Sequence, residues 1–274
     1  MYNTYLCGGD CMLKILTIND SQFEYMTKRT FEGKTAESTV HPFTENENKK
    51  VFKLFKEKKF TDDEIDNKVK KITILNEKLE NVNYIVKAEN IIKYRDKIIG
   101  YTMPYINGDT FSILSFNKKN SKLILKEIAN KLKELHKLNI ICADIPGNIL
   151  VDKEKNITFI DYDNFAVDNL KIDTRNMFLR DYLSKIDKFD EKFDYYLFNL
   201  YTLAILSKIH IIYINTAYQI EPYKFDLKNK EINKIVYNTF DLLMYNRNQT
   251  KTYDEELIID KLMDTNKKIK FKKF

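Results

Sequence analysis

The chain has 274 residues, with 46 Lys and Arg against 40 Asp and Glu, a formal net charge of +6, 43% hydrophobic and 31% charged residues. That is a globular balance rather than a disordered one, and the length suffices for one large domain or two modest lobes with real cores. Six glycines and four prolines exclude collagen-like, elastic and linker-dominated chains, and three histidines with three cysteines exclude a multi-His metal enzyme and a disulfide framework.

Residues 1–21 read as an N-terminal extension. They lack a basic segment leading into an apolar one, so the expectation is a soluble, cytoplasmic protein without a secretory leader. Cys7 and Cys11 form a C-x3-C pair, but no second pair and no nearby His complete a tetrahedral metal site. Strands are predicted over 22–29, 38–43 and 50–56, the last an apolar/basic alternation with one half-buried face. Thr61 then opens a helix with acidic first-turn residues and Ile65, Val69, Ile72 and Leu79 along one face. Two strand-like runs, 84–94 and 97–106, meet at Arg95-Asp96 as a hairpin, and Pro104 and Gly108 mark a boundary between lobes.

Beyond it the pattern is mainly helical. An amphipathic helix covers 122–138 with Leu125, Ile128, Leu132 and Leu135 at helical spacing, and short strands follow at 149–151 and 157–160 around a polar turn. The acidic group Asp187, Asp190 and Glu191 caps the next helix, 193–214. That stretch contains Asn199, Lys208 and His210 and so reads as buried rather than membrane-spanning. The tail lysines, Lys267 to Lys273, read as a solvated terminus, and no specific nucleic acid is expected.

Gly33-Lys34-Thr35 resembles the end of a Walker A loop, but Lys28 stands where the loop needs its first Gly. The informative segment is 140–165, which delivers Asp144, Asn148, Asp161 and Asp163 from a loop and from strand ends. Singly, each reads first as a turn residue. Together, two carboxylates and an amide suit a site that holds Mg²⁺ on oxygen ligands while another group orients a hydroxyl nucleophile.

Their order resembles the catalytic region of the protein kinase superfamily, in which a helix ending in Leu-His precedes H-R-D-x-x-x-x-N, a hairpin and D-F-G. Leu135-His136 ends the helix, Asp144 stands at the base position, Asn148 at the metal-binding Asn and Asp161 at the D-F-G Asp. Upstream, residues 31–41 are similar to the Gly-rich loop, with Gly33 kept, Thr35 and Ser38 replacing later glycines, and Val40 at the position that covers adenine. Lys53 matches the Lys of V-A-I-K, Met103 the gatekeeper, and Pro104, Tyr105 and Ile106 the hinge; Asp194 falls where the family braces its catalytic loop.

What the resemblance implies is an α+β, bilobal protein-kinase-like fold: a β-rich N-lobe with one helix over 22–105 and a mainly α-helical C-lobe over 106–274. It also implies ATP and Mg²⁺ as cofactors. Asp144 and Lys53 would be catalytic, and Asn148, Asp161 and Asp163 would hold metal. Gly33, Thr35, Ser38, Val40, Lys53, Met103 and Tyr105 would line the nucleotide. The expected reaction transfers the γ-phosphoryl group to a hydroxyl acceptor, first of all Ser or Thr of a protein. Departures leave two alternatives open. Asp144 and Asn148 are four apart rather than five, which removes the loop Lys of Ser/Thr kinases, and Pro146-Gly147-Asn148 looks more like the aminoglycoside and choline phosphotransferases with their small-molecule acceptors. The short catalytic loop and thinned glycines are compatible with a pseudokinase that binds or scaffolds without turnover, whereas Asp163 in place of the D-F-G Gly resembles atypical and small-molecule kinases. Cys142-Ala143 in place of His-Arg leaves a phosphorylated activation loop no partner, and A-P-E is lacking. The helix carboxylate that should pair with Lys53 is open among Glu64, Asp66 and Glu77.

Overall fold

The computed structural model describes residues 13–31, 37–111, 118–145, 147–168, 170, 190–195 and 197–198. It is an α+β protein in two compact units, one formed by residues up to 108 together with 158–163, the other by 109–157 together with residues from 164 onward.

The first unit is a mixed five-stranded sheet in the order β1-β4-β5-β3-β2, from β1 (Lys14–Ile18), β2 (Ser38–Glu45), β3 (Asn48–Phe55), β4 (Asn90–Tyr94) and β5 (Lys97–Pro104). β1 runs parallel to β4 and the other neighbours are antiparallel. Both hairpins turn on two residues with positive φ, Asn46-Glu47 (47° and 69°) and Arg95-Asp96 (46° and 66°). That sign at both central positions matches the twist of the flanking strands, so the hairpin expected at Arg95-Asp96 forms.

The structure departs from expectation at four points. Residues 22–29 are not a strand: Asp20–Thr27 is a helix, α1. Its start is a capping box in which Gln22 N donates to Asn19 Oδ1 (2.9 Å) and Asn19 N donates to Gln22 Oε1 (3.0 Å). Phe23 and Met26 then fall on one helical face and pack with Ile18, Phe52, Ile92 and Ile99 of the sheet, a tertiary contact that outweighs the local alternation. The N-terminal extension consequently stops short of residue 21, since residues 14–18 supply the parallel edge strand. With α1 and the helix α2 (Asp62–Lys78), this unit has two helices rather than one. β3 also differs from the half-buried strand expected, because Val51, Phe52, Lys53 and Phe55 are all buried and the strand lies inside the sheet.

α2 begins at Thr61, as expected, with a reciprocal cap to Glu64. Ile72, Leu75 and Leu79 are fully buried along its inner face. In the second unit α3 (Lys118–Lys137) buries Leu125, Ile128, Leu132 and Leu135. Around it lie β6 (Asp109–Thr110) paired with β8 (Ile149–Val151), and β7 (Ile140–Ile141) paired with β10 (Ala166–Val167). β9 (Ile157–Phe159) follows a turn in which Asp152 accepts from Asn156 N (2.7 Å) and Asn156 Nδ2 (2.8 Å). Beyond residue 198 the chain, including most of the helix expected over 193–214 and the tail lysines, lies outside the described residues. Among the described residues, no helix is long and apolar enough to cross a membrane.

Candidate functional site

Strand register builds the first half of the site. Val40, Lys53 and Tyr101 are directly opposite one another across β2, β3 and β5. Opposed residues share a face, so the three side chains form one row, with Pro42, Val51 and Met103 in the next. Ser38 lies opposite Phe55 in the same alternation. β5 can approach β3 here only because position 100 is Gly: a Cβ there would stand 2.0 Å from the Lys53 carbonyl oxygen. Gly33 and Thr35 lie outside the described residues.

The same unit holds residues 158–163, and Lys53 meets them directly. Its Nζ donates to Asp161 Oδ1 (2.8 Å) and Asp163 Oδ1 (2.7 Å) while lying 5.7 Å from the centre of the Tyr101 ring. Tyr101 OH also donates to Asp163 Oδ1 (2.8 Å), and Lys68 Nζ stands 3.5 Å from Asp163 Oδ2. Lys53 and Asp163 are 4% and 1% exposed, whereas Asp161 is 25% exposed. Burial by itself would lower the Lys53 ammonium, but the charges of Asp161 and Asp163 overcome it and hold the group above its ordinary range. Burial likewise opposes ionisation of Asp163, yet Lys53 and Lys68 hold its carboxyl down at about 2. Tyr101, pushed well up by burial and by the Asp163 charge, stays a neutral donor.

Asp161 has φ of +59°, the left-handed region. Asp tolerates it better than most residues, but it is held there only if its surroundings over-determine it. They do. Phe159 N donates to Tyr84 O (2.8 Å) and accepts at its carbonyl from Val86 N (2.9 Å). Tyr162, fully buried, donates from its hydroxyl to Asn76 Oδ1 (2.5 Å) and accepts from Ala88 N (2.9 Å), and Asn76 Nδ2 donates to Ala88 O (2.9 Å). With Phe159 and Tyr162 pinned on either side of it, Asp161 keeps a partly exposed carboxylate.

The second unit has its own constellation. Asp144 follows α3 and β7 and is exposed in a mostly buried loop, and Asn148, buried just before β8, donates from Nδ2 to Asp144 Oδ2 (3.3 Å). The loop is shaped from below by Asp194, which is wholly buried. Asp194 accepts from Cys142 N (2.8 Å), Ala143 N (2.7 Å) and His136 Nε2 (2.9 Å), and Tyr195 OH lies 3.0 Å from His136 Nδ1. Ala143 takes φ of +59° to aim its N–H at Asp194. The brace uses main-chain groups, so the side chains of Cys142 and Ala143 are not needed for it. Burial, then the Asp194 charge, pushes the Cys142 thiol well up, which removes it as a nucleophile.

Sequence reasoning left three options for the partner of Lys53. Glu64 is occupied in the Thr61 cap, and the carboxylates on Lys53 are Asp161 and Asp163. Asp163, expected among the metal ligands, has protein donors or cations at both oxygens and is almost fully buried. Tyr101 and Lys68 were missed, although Tyr101 lies two residues before Met103 and shares its face, so strand alternation alone could have indicated it. Among the described residues no group of three or more His, Cys, Asp or Glu side chains converges on a possible metal position. Mg²⁺ needs no such cage, since it takes one or two side-chain oxygens together with phosphate and water, and the partly exposed carboxylate of Asp161 is of that type. Tyr105 N donates to Lys49 O (3.2 Å), and its ring stacks on Phe31. Compared with protein-family models and with curated proteins, the sequence has no match.

Proposed function

We propose that the chain is an ATP- and Mg²⁺-dependent phosphotransferase with a bilobal, protein-kinase-like fold, acting in the cytoplasm. It moves the γ-phosphoryl group to a hydroxyl acceptor, first of all Ser or Thr of a protein. One observation carries this assignment: Lys53 and Asp161, 108 residues apart in sequence, are in direct contact on the sheet face that also carries Val40 and Met103. A buried lysine fixed beside a partly exposed carboxylate at positive φ suits a phosphate contact next to a metal ligand.

Lys53 has three N–H donors; two point to Asp161 and Asp163, leaving the third for a phosphate oxygen. Asp161 offers oxygen to Mg²⁺, which when bound neutralises charge on the β- and γ-phosphates. In the resemblance Asn148 is the other metal ligand, through its carbonyl oxygen. Asp144, which is exposed, orients the acceptor hydroxyl and takes its proton. The roles of Asp144 and Asn148 rest on the sequence resemblance.

A nucleotide-binding module without turnover is favoured by one feature: Asp163 is engaged at both oxygens, so only Asp161 of this pair faces outward. Transfer of label from γ-labelled Mg²⁺-ATP, with protein acceptors and with aminoglycoside or choline acceptors, separates the outcomes. Transfer that drops at least about 100-fold in Asp161→Asn is the result expected of a kinase. Nucleotide binding with no transfer to any acceptor would favour the module, and neither binding nor transfer would end both assignments.

A further inference from the structure

We propose that Lys68, on α2, is a positioning residue for Lys53, acting through Asp163; the proposal rests on the nucleotide-site assignment above. α2 brings a cation to this cluster instead of a carboxylate. Lys68 Nζ stands 3.5 Å from Asp163 Oδ2 and 3.6 Å from Glu37 Oε2, and 4.9 Å from the centre of the Phe60 ring. Glu37 is itself fixed to the end of β3 through Lys56 N, which donates to Glu37 O (3.0 Å). The charges alternate along one line: Glu37, Lys68, Asp163, Lys53, Asp161.

The two oxygens of Asp163 divide the work. Oδ1 takes Lys53 and the Tyr101 hydroxyl, while Oδ2 faces Lys68. A buried carboxylate with a cation at each oxygen cannot turn about its Cβ–Cγ bond without giving one of them up. Lys53 is thereby met by a single oxygen from Asp163 and keeps its second hydrogen bond for Asp161. Without Lys68, Asp163 can turn both oxygens to Lys53 and draw the ammonium away from Asp161, the direction in which phosphate contact is assigned. The charge balance moves the same way. The two lysines and three carboxylates sum to one negative charge, and losing Lys68 adds a second, which disfavours a polyphosphate.

The test measures binding of Mg²⁺-ATP and of adenosine to the full chain carrying Lys68, Lys68→Met or Lys68→Arg, together with thermal unfolding of Lys68→Met, Asp163→Asn and the double variant. Lys68→Met should weaken Mg²⁺-ATP about tenfold while leaving adenosine within about twofold, and Lys68→Arg should recover most of the loss. The double variant should lower the melting temperature by less than the two single shifts added. Equal weakening of ATP and adenosine, unchanged ATP affinity in Lys68→Met, or additive shifts would overturn the proposal. If the unaltered chain binds neither ligand, the nucleotide site is refuted and the role of Lys68 toward Lys53 falls with it. Non-additive shifts would then show a Lys68–Asp163 ion pair and nothing more.

Discussion

Asp163 in the first unit and Asp194 in the second are both buried carboxylates at the centre of a cluster, yet they are satisfied differently. Asp163 faces side-chain cations, Lys53 and Lys68, with a tyrosine hydroxyl between them. Asp194 faces two main-chain N–H groups and an imidazole. A cluster of side-chain charges depends on residue identity and on ionisation. One built on main-chain N–H groups fixes a loop's shape and leaves its side chains open to change, as Cys142 and Ala143 illustrate. Each cluster stands beside a residue held at φ of +59°, Asp161 in one and Ala143 in the other.

The comparison is broken most severely by Asp194→Ala. Two buried N–H groups and His136 lose their acceptor at once, and about 3–5 kcal/mol of stability should go. Chemical denaturation followed by probes in each unit checks this, and a loss below about 1 kcal/mol would mean that the main-chain brace is not what holds the Asp144 loop. The next effect belongs to the first unit. Gly100→Ala places a Cβ 2.0 Å from the Lys53 carbonyl oxygen, so β5 and β3 must part at the row that carries Lys53 and Tyr101. About 2 kcal/mol should be lost, with nucleotide affinity falling alongside, whereas Ala at the neighbouring exposed Lys97 should change neither.

The two clusters were also unequally legible in the sequence. Helix α2 could be read because its cap, acidic first turn and apolar face all agree, and the Arg95-Asp96 hairpin because a two-residue polar turn interrupts two apolar runs. Helix α1 could not, since eight residues with alternating apolar positions give strand and helix nearly equal signals, and packing on the sheet decides. The ordered residues Lys53, Asp144, Asn148 and Asp161 were visible because motif spacing is a property of the chain. The partner of Lys53 was not, because the contact joins β3 to a segment 108 to 110 residues away and depends on the register that puts Tyr101 beside Lys53. That Lys68 rather than a helix carboxylate approaches Asp163 follows from the rotation of α2 about its axis, which apolar spacing fixes only to within a residue or so.

Acid sharpens the contrast without mutation. The Asp163 carboxyl, ordinarily near 3.8, is held at about 2 in the folded protein, so the unfolded chain binds the proton more readily. Its contribution, about 2 kcal/mol, is complete above pH ~4 and is lost as pH falls toward 2. The Lys53 ammonium is raised instead, so its contribution is complete below its ordinary range near 10.5 and goes only as pH climbs beyond it. Unfolding free energy measured from pH 2 to 6 should show this acid limb in the unaltered protein and a flatter one in Asp163→Asn. Equal limbs in the two would mean that Asp163 is not the group responsible.

The smallest effect has the opposite sign. Ala143 sits in the left-handed region, where an L side chain costs about 1 kcal/mol, and Gly would remove that cost while giving back some through greater freedom in the unfolded chain. Ala143→Gly should therefore stabilise by about 0.5 kcal/mol or leave stability unchanged, because its N–H still reaches Asp194. Asp161→Gly relieves a matching strain at the same φ but removes the carboxylate that meets Lys53, so it should abolish Mg²⁺-dependent nucleotide binding. Denaturation and nucleotide binding measured on this pair separate the two plans: at position 143 the backbone alone matters, at 161 the side chain does. A loss of 1 kcal/mol or more in Ala143→Gly would show that the methyl group buried there contributes packing that the loop's hydrogen bonds do not replace.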